Sequence, residues 1–254
     1  MRSASYREGS SGMPVDGVRL LNSRPALVRI AAFDVDGTII EGQSGAHLIR
    51  YLIKHKHVSP WLGARVAFWA FCYRQGVPLD YRKILREILR GFAGTSLNET
   101  AQDLRLFVAE ELVRHIRPQA LEAMHAHQDQ GECVLLASAS VAPLIGELAA
   151  HLPVDGWIAT ALQVEPDGTF QGEIDGQVLT GAAKRDALHA YADARFPRWH
   201  LAHAYADHES DLAFLAASER AIVVNPSRGL QRHARVAGWP VVSWAPPGRS
   251  PAAV

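Results

Sequence analysis

Residues 27–38 read LVRIAAFDVDGT, an apolar run that stops abruptly at Asp34. A near-continuous apolar strand is what a sheet covered on both faces requires. The pair Asp34 and Asp36, separated by Val35 and followed by Gly37 and Thr38, then falls at the carboxyl end of that strand. Open α/β sheets take their ligands at that end. A plain solvated turn is the competing reading, because Asp and Gly are common in turns. A calcium loop fails on spacing: counted from Asp34, the glycine position holds Ile39 and the bidentate acid position holds Gly45.

The next run of this kind, Cys133–Ala137 (CVLLA), lies far downstream. Helical periodicity fills the interval and predicts helices over Ala46–Lys56, Pro60–Arg74, Asp80–Phe92, Leu97–His115 and Gln119–Gln130. Ser59, Asp80 and Ser96 are suitable caps, and Gly76, Gly94 and Gly131 suitable stops. After Gly131 the pattern alternates. Helix is expected over Val141–His151, strand over Trp157–Ala161, a hairpin about Glu165–Gly168, helix over Ala182–Ala194 and strand over Leu201–Ala206. Helix Asp211–Ala217, strand Ala221–Val224 and helix Leu230–Val236 complete the series, with Val241 and Val242 as an edge. Strand–helix alternation specifies an α/β fold, a Rossmann-like doubly wound parallel sheet. The expected division is a disordered leader (1–26), a core (27–43 and 131–245), an inserted α-helical cap (44–130) and a loose tail (246–254).

Composition narrows the function. The 26 basic and 26 acidic side chains balance, which argues against nucleic acid and against a polybasic membrane anchor. Trp61–Tyr73 (WLGARVAFWAFCY) is too short to span a bilayer and carries Arg65, so no stable membrane insertion is expected. The two cysteines, Cys72 and Cys133, have no metal-ligand spacing and read as reduced core residues of a cytoplasmic protein.

The carboxylates at Asp34 and Asp36 have company. Asp207 and Asp211 follow the strand Leu201–Ala206, and Ser138 ends the strand CVLLA. Lys184 sits in a first helical turn, where a cation faces the positive end of the helix dipole. A nearby anion would recover that loss. Four aspartates at one sheet edge repel one another, and a phosphate dianion adds to the repulsion. All-oxygen ligation with an incoming phosphate suits Mg²⁺. The reading is a carboxylate nucleophile, a second carboxylate as acid and base, a metal, a lysine and a hydroxyl around one phosphoryl group.

These pieces in this order resemble the haloacid dehalogenase (HAD) superfamily of phosphohydrolases, and the helical stretch after DVDGT resembles its capped subfamily that includes the phosphoserine phosphatases. The resemblance covers roughly Leu27 to Trp244. It implies that Asp34 forms an aspartyl-phosphate, and that Asp36 protonates the leaving alcohol and then activates water. It implies that Ser138 and Lys184 hold the phosphoryl oxygens, with backbone N–H groups near Gly37, Thr38 and Ala139. It assigns Mg²⁺ to Asp34, the carbonyl of Asp36 and Asp207, with Asp211 in support. The substrate is then a small phosphorylated metabolite. Two departures bear on selectivity. Ala206 and His208 flank Asp207 where a glycine–aspartate pair is common, and Gln43 stands where a phosphoserine phosphatase carries glutamate, with Glu41 nearby. Glu41, Gln43 and His208 are therefore the selectivity candidates. Phosphotransfer to an alcohol at the same residues, or a non-catalytic phosphate-binding module, are the alternatives.

Other features read as structural. The histidines of His55-Lys56-His57 and His125-Ala126-His127 are two apart, face different sides of a helix and read as solvated surface. Trp61, Phe68, Trp69, Phe71 and Tyr73 read as cap core, with a lipophilic substrate wall or a membrane-touching face as the alternatives. Arg82, Arg86 and Arg90 read as a solvated basic face.

Overall fold

The structure, a computed structural model, describes residues 4–6, 27–55 and 93–248, with the single positions 61, 64, 68 and 89. In chain order the strands are β1 (Ala4–Tyr6), β2 (Val28–Phe33), β3 (Cys133–Val141), β4 (Gly156–Thr160), β5 (Leu162–Val164), β6 (Phe170–Ile174), β7 (Trp199–Ala206), β8 (Arg220–Val224) and β9 (Val241–Val242). The α-helices are α1 (Ser44–Lys54), α2 (Leu97–Glu110), α3 (Pro118–Asp129), α4 (Ala142–Ala149), α5 (Ala182–Arg195), α6 (Leu212–Ala216) and α7 (Arg228–Ala237). Short 3-10 turns occupy Leu112–His115 and Glu209–Asp211.

Six strands form one sheet in the order β4-β3-β2-β7-β8-β9. Every pairing in it is parallel. The chain leaves β2 for β3 on one side and later returns to β7 on the other. The carboxyl end of β2 is thus the switch point where such sheets open a crevice. Alternate side chains of the central strands enter opposite layers, as a pleated strand requires. Ala31, Phe33, Val134 and Leu136 join one cluster, and Ile30, Ala32, Leu135 and Ala137 the other. The first layer is closed by α2, α3 and α4 through Phe107, Met124 and Leu144; the second by α5, α6 and α7 through Leu188, Phe214 and Leu230.

The α/β class and the parallel doubly wound sheet are as the alternation specifies. Several local readings differ. The stretch expected to be a leader contributes β1, which pairs antiparallel with β5 in a small three-stranded sheet. The expected helix Leu97–His115 ends at Glu110 and tightens into a 3-10 turn. There the backbone is drawn toward the loop after β2: the Glu41 N–H donates to the His115 carbonyl (2.8 Å) and the Arg117 N–H to that of Ile39 (2.8 Å). Leu104, Phe107, Leu112, Ala120 and Met124 share the cluster of Val134 and Leu136. The later part of the stretch expected as cap, 44–130, is therefore a layer of the core.

Trp61 and Phe68 are 74% and 63% exposed, whereas cap core was expected. Periodicity groups such residues on a face without saying what covers it. Trp69, Phe71, Tyr73, the three arginines at 82, 86 and 90, and all but three positions of Pro60–Arg74 lie outside the described residues. His127 is buried, not solvated. Its Nδ1 lies 2.7 Å from Glu132 and its Nε2 2.8 Å from the Tyr205 hydroxyl. Glu132 also accepts from Arg29 Nε (2.9 Å) and lies 3.0 Å from His203 Nδ1. This network joins α3 to β2 and β7. Among the described residues no helix is long and apolar enough to cross a membrane.

Candidate active site

Asp34 is the first residue past β2, and its N–H donates to the Tyr205 carbonyl of β7 (2.9 Å). The side chain is 5% exposed, with both oxygens engaged. Lys184 Nζ donates to Oδ1 at 2.7 Å, and the buried Thr38 hydroxyl donates to Oδ2 at 3.1 Å. Lys184 comes from the first turn of α5 and is 1% exposed. It also lies 2.8 Å from Asp211 Oδ1, so it is clamped between two carboxylates, with its ammonium 5.6 Å from the centre of the Phe214 ring. The anions that the unfavourable helix position called for are Asp34 and Asp211. Burial lowers the Lys184 pKa, yet Asp211 and Asp34 outweigh it and hold the ammonium charged.

Asp36 is fixed by the start of α1. The Ser44 N–H donates to Oδ1 (2.5 Å) and the Ser44 hydroxyl to Oδ2 (3.1 Å). Asp207 is the first residue past β7 and lies against Gly37. A Cβ built on Gly37 would lie 2.1 Å from Asp207 Oδ2, and Gly37 has φ +83°. Glycine is required there twice, by conformation and by space. The Gly37 N–H itself donates to the Ile40 carbonyl (3.1 Å), so this amide is occupied inside the turn and the residue's contribution is room. Ser138 is fully buried near the end of β3, and its Oγ accepts from the Ser140 N–H (3.1 Å). The Ala139 carbonyl accepts from the Thr160 hydroxyl (2.8 Å).

The charge balance of this cluster is uneven. Among the described residues the Lys184 ammonium pairs with two of the four carboxylates, Asp34 and Asp211, and the Arg117 guanidinium also acts on Asp207. Burial pushes Asp34 up to about 6, with Lys184 opposing and Asp211 adding to the rise. Burial likewise lifts Asp36 to about 6, opposed by the Ser44 N–H and aggravated by Asp34. Asp207 is raised as well, by burial and then by Asp34 and Asp211. No side-chain donor reaches the Asp207 carboxylate among the described residues. Crowded carboxylate oxygens, one of them without a donor, form a donor set that fits a hard divalent cation.

The selectivity candidates are less central. The Glu41 side chain is exposed, while its carbonyl lies 2.8 Å from His47 Nε2. Gln43 is the half-buried residue before α1 and makes no capping hydrogen bond. His208 is half-buried; its Nδ1 accepts from the Ser210 N–H (3.2 Å), and burial lowers its pKa. Three residues went unnoticed in the sequence. Ser44 and Ser140 carry no motif. Arg117 is 7% exposed and donates to the Trp244 carbonyl (3.1 Å), and its guanidinium feels both Glu41 and Asp207. The one available signal was that Ser44 follows Asp36 by a single turn of chain into a helix.

The haloacid dehalogenase-like hydrolase family matches residues 31–216, a span holding Asp34, Asp36, Ser138, Lys184, Asp207 and Asp211. The chain belongs to that family. As a haloacid dehalogenase-like hydrolase it is 27% identical over 219 residues to a histidinol-phosphatase of Neisseria meningitidis, covering 85% of this chain and 98% of that protein. It is 26% identical over 220 residues to the phosphoserine phosphatase SerB1 of Mycobacterium tuberculosis, covering 85% and 70%. Among solved structures, a Bordetella pertussis protein of unknown function superposes with a TM-score of 0.74 at 23% identity, covering 85% of this chain and 99% of that one. A phosphoserine phosphatase holding a phospho-aspartyl intermediate analogue superposes with a TM-score of 0.59 at 17% identity, covering 82% and 91%. At these identities the structures share the fold.

Proposed function

We propose that this hydrolase is a Mg²⁺-dependent phosphatase that cleaves a small phosphomonoester through an aspartyl-phosphate on Asp34. The observation carrying this reading is the Asp34 carboxylate, buried and oriented by Lys184 and Thr38 at the switch point of the sheet. Phosphatase names among its relatives support it.

Lys184 keeps Asp34 ionised and aimed. An Asp34 oxygen attacks phosphorus, and the bond from phosphorus to the ester oxygen breaks. Asp36 gives its proton to that oxygen, which leaves as the alcohol. Asp36, now a carboxylate, takes a proton from water as the water oxygen attacks phosphorus. The Asp34–phosphorus bond breaks, inorganic phosphate departs, and both aspartates return to their starting forms. A group raised to about 6 is well matched to giving and taking a proton near neutral pH. Ser138, the Ala139 N–H and Lys184 would hold the phosphoryl oxygens. Asp34, the Asp36 carbonyl and Asp207, supported by Asp211, would hold Mg²⁺, which supplies charge neutralisation of the transferring group.

Phosphate release from a panel of phosphorylated metabolites, with and without Mg²⁺, tests the reading. Metal-dependent turnover lost in Asp34→Asn is expected. Turnover surviving that substitution, or transfer to added alcohols exceeding hydrolysis, refutes it.

A further inference from the structure

We infer that Ser44 is a positioning residue for Asp36, and that through Ser140 it joins the proton-transfer group to the strand end that carries Ser138. This rests on Asp36 being the acid and base, as proposed above.

Ser44 opens α1 and is completely buried. It holds both oxygens of one carboxylate, by its N–H at 2.5 Å and its hydroxyl at 3.1 Å. The same hydroxyl lies 3.1 Å from the Ser140 hydroxyl, itself only 6% exposed. The Ser140 N–H in turn donates to Ser138 Oγ. A continuous path of hydrogen bonds therefore runs from Asp36 to Ser138, 102 residues apart in sequence, bridging the start of α1 and the end of β3.

The two contacts on Asp36 do different jobs. An amide N–H only donates, so Oδ1 is always an acceptor, and Oδ2 is the oxygen left to carry the proton. A hydroxyl both donates and accepts. Ser44 has one hydroxyl proton and two oxygens within reach. While Asp36 is a carboxylate, Ser44 donates to Oδ2 and accepts from the Ser140 hydroxyl. When Oδ2 carries the proton, the Ser44 hydroxyl turns to Ser140 Oγ and leaves the Oδ2 proton free for the ester oxygen. In both states the Ser44 N–H keeps its hydrogen bond to Oδ1 and the two serine hydroxyls keep theirs to each other, so Asp36 holds one orientation throughout the cycle. A buried carboxylate without this partner would rotate, and small misplacements of a reacting group are costly in rate.

Steady-state kinetics on an alkyl phosphate and on p-nitrophenyl phosphate separate this role from a structural one. The aryl leaving group needs little protonation, so loss of acid catalysis falls mainly on the alkyl ester. Ser44→Ala is expected to lower kcat on the alkyl phosphate by about 10–100-fold, with a smaller loss on the aryl ester and KM little changed. Ser44→Thr, which keeps the hydroxyl, should restore most of the rate. Ser140→Ala leaves Ser44 and Asp36 in place and should produce a weaker loss with the same leaving-group bias, which keeps the test open if Ser44→Ala folds poorly. Equal losses on both esters, a Thr variant no better than Ala, or a Ser44→Ala rate matching wild type while Asp36→Asn is impaired, would overturn the inference and leave the phosphatase standing. An Asp36→Asn protein as active as wild type would instead remove the reading on which it rests.

Discussion

Gly37→Ala is the substitution on which the metal assignment is most exposed. The residue has φ +83°, and its missing Cβ would sit 2.1 Å from Asp207 Oδ2 and 2.7 Å from Asp207 Cγ. The backbone cost of a left-handed alanine is about 1–2 kcal/mol. The steric cost is borne by Asp207. Ordinary contact begins at 3.4 Å, so the carboxylate must retreat by 3.4 − 2.1 = 1.3 Å or rotate away. Metal–ligand distances tolerate about 0.2 Å. Asp207 would therefore stop serving as a ligand, although the turn that positions Asp34 and Asp36 survives.

The expected result is a folded protein whose melting temperature falls by about 2–8 °C. Its Mg²⁺ requirement for half-maximal phosphate release should rise by at least about tenfold, the effect of a single ligand or orienting partner being about 10–100-fold in affinity. Mg²⁺ titrations of initial rate, beside thermal melts of wild type and variant, give both numbers. A variant with unchanged Mg²⁺ dependence would refute the reasoning, because Asp207 could then not be a ligand at the place where the structure puts it.

Two further outcomes follow from the charged clusters. Lys184→Met removes the ammonium 2.7 Å from Asp34 and 2.8 Å from Asp211, and breaking a buried pair from one side costs about 3–5 kcal/mol, or about 6–20 °C in melting temperature. Adding Asp34→Asn to it should recover part of that loss, and strict additivity of the two would show that they do not interact. Acid should also weaken the fold through Glu132 and His127. Burial pushes Glu132 up, but Arg29, His203 and His127 pull it below its ordinary value, so its contribution is present above about pH 4.5 and is lost as pH falls through the depressed value. Burial lowers His127, so the fold prefers the neutral ring and also weakens as pH drops below about 6.5. Melting temperatures measured from pH 8 to pH 3.5 should decline for wild type. Glu132→Gln should start lower, by about 1.5–3 kcal/mol at pH 7, and decline less below pH 4.5; parallel curves would contradict this account.

The sheet was legible because its strands obey a local rule. LVRIAAF and CVLLA are apolar throughout, and a central parallel strand buries both faces, so the two runs announce their place without help from distant residues. The polar cluster was legible as residue types at strand ends. What the sequence could not convey was the use each atom is put to. Gly37 reads as one more amide for a phosphate, yet its N–H is engaged by Ile40 and its value is the space it leaves for Asp207. Ser44 has no signature at all, since a serine at a helix start is ordinary, and only the chain path after the turn aims it at Asp36. His127 misled for the opposite reason. Its helix is amphipathic, and the residue lies on the face that meets Phe33 and Tyr205, where Glu132 and the tyrosine hydroxyl satisfy both ring nitrogens. A spacing rule excludes chelation within a helix but says nothing of partners on other strands.

The places where local rules break are also the places that converge. Lys184 stands in a first helical turn, Gly37 holds a left-handed angle against a carboxylate, and acids without matching cations are withdrawn from water. Each is unfavourable taken alone, and all meet at the carboxyl ends of β2 and β7 while the layers beneath follow ordinary packing. Local inconsistency gathered at one point of an otherwise consistent chain is the pattern expected of a functional site. The imbalance also has a sign. Among the described residues one ammonium stands among the four carboxylates, and the Asp207 carboxyl, raised above its ordinary value by burial, accepts no side-chain hydrogen bond there. A site built for an anion alone would show the opposite excess. One built to receive a cation and an anion together must be left negative until both arrive.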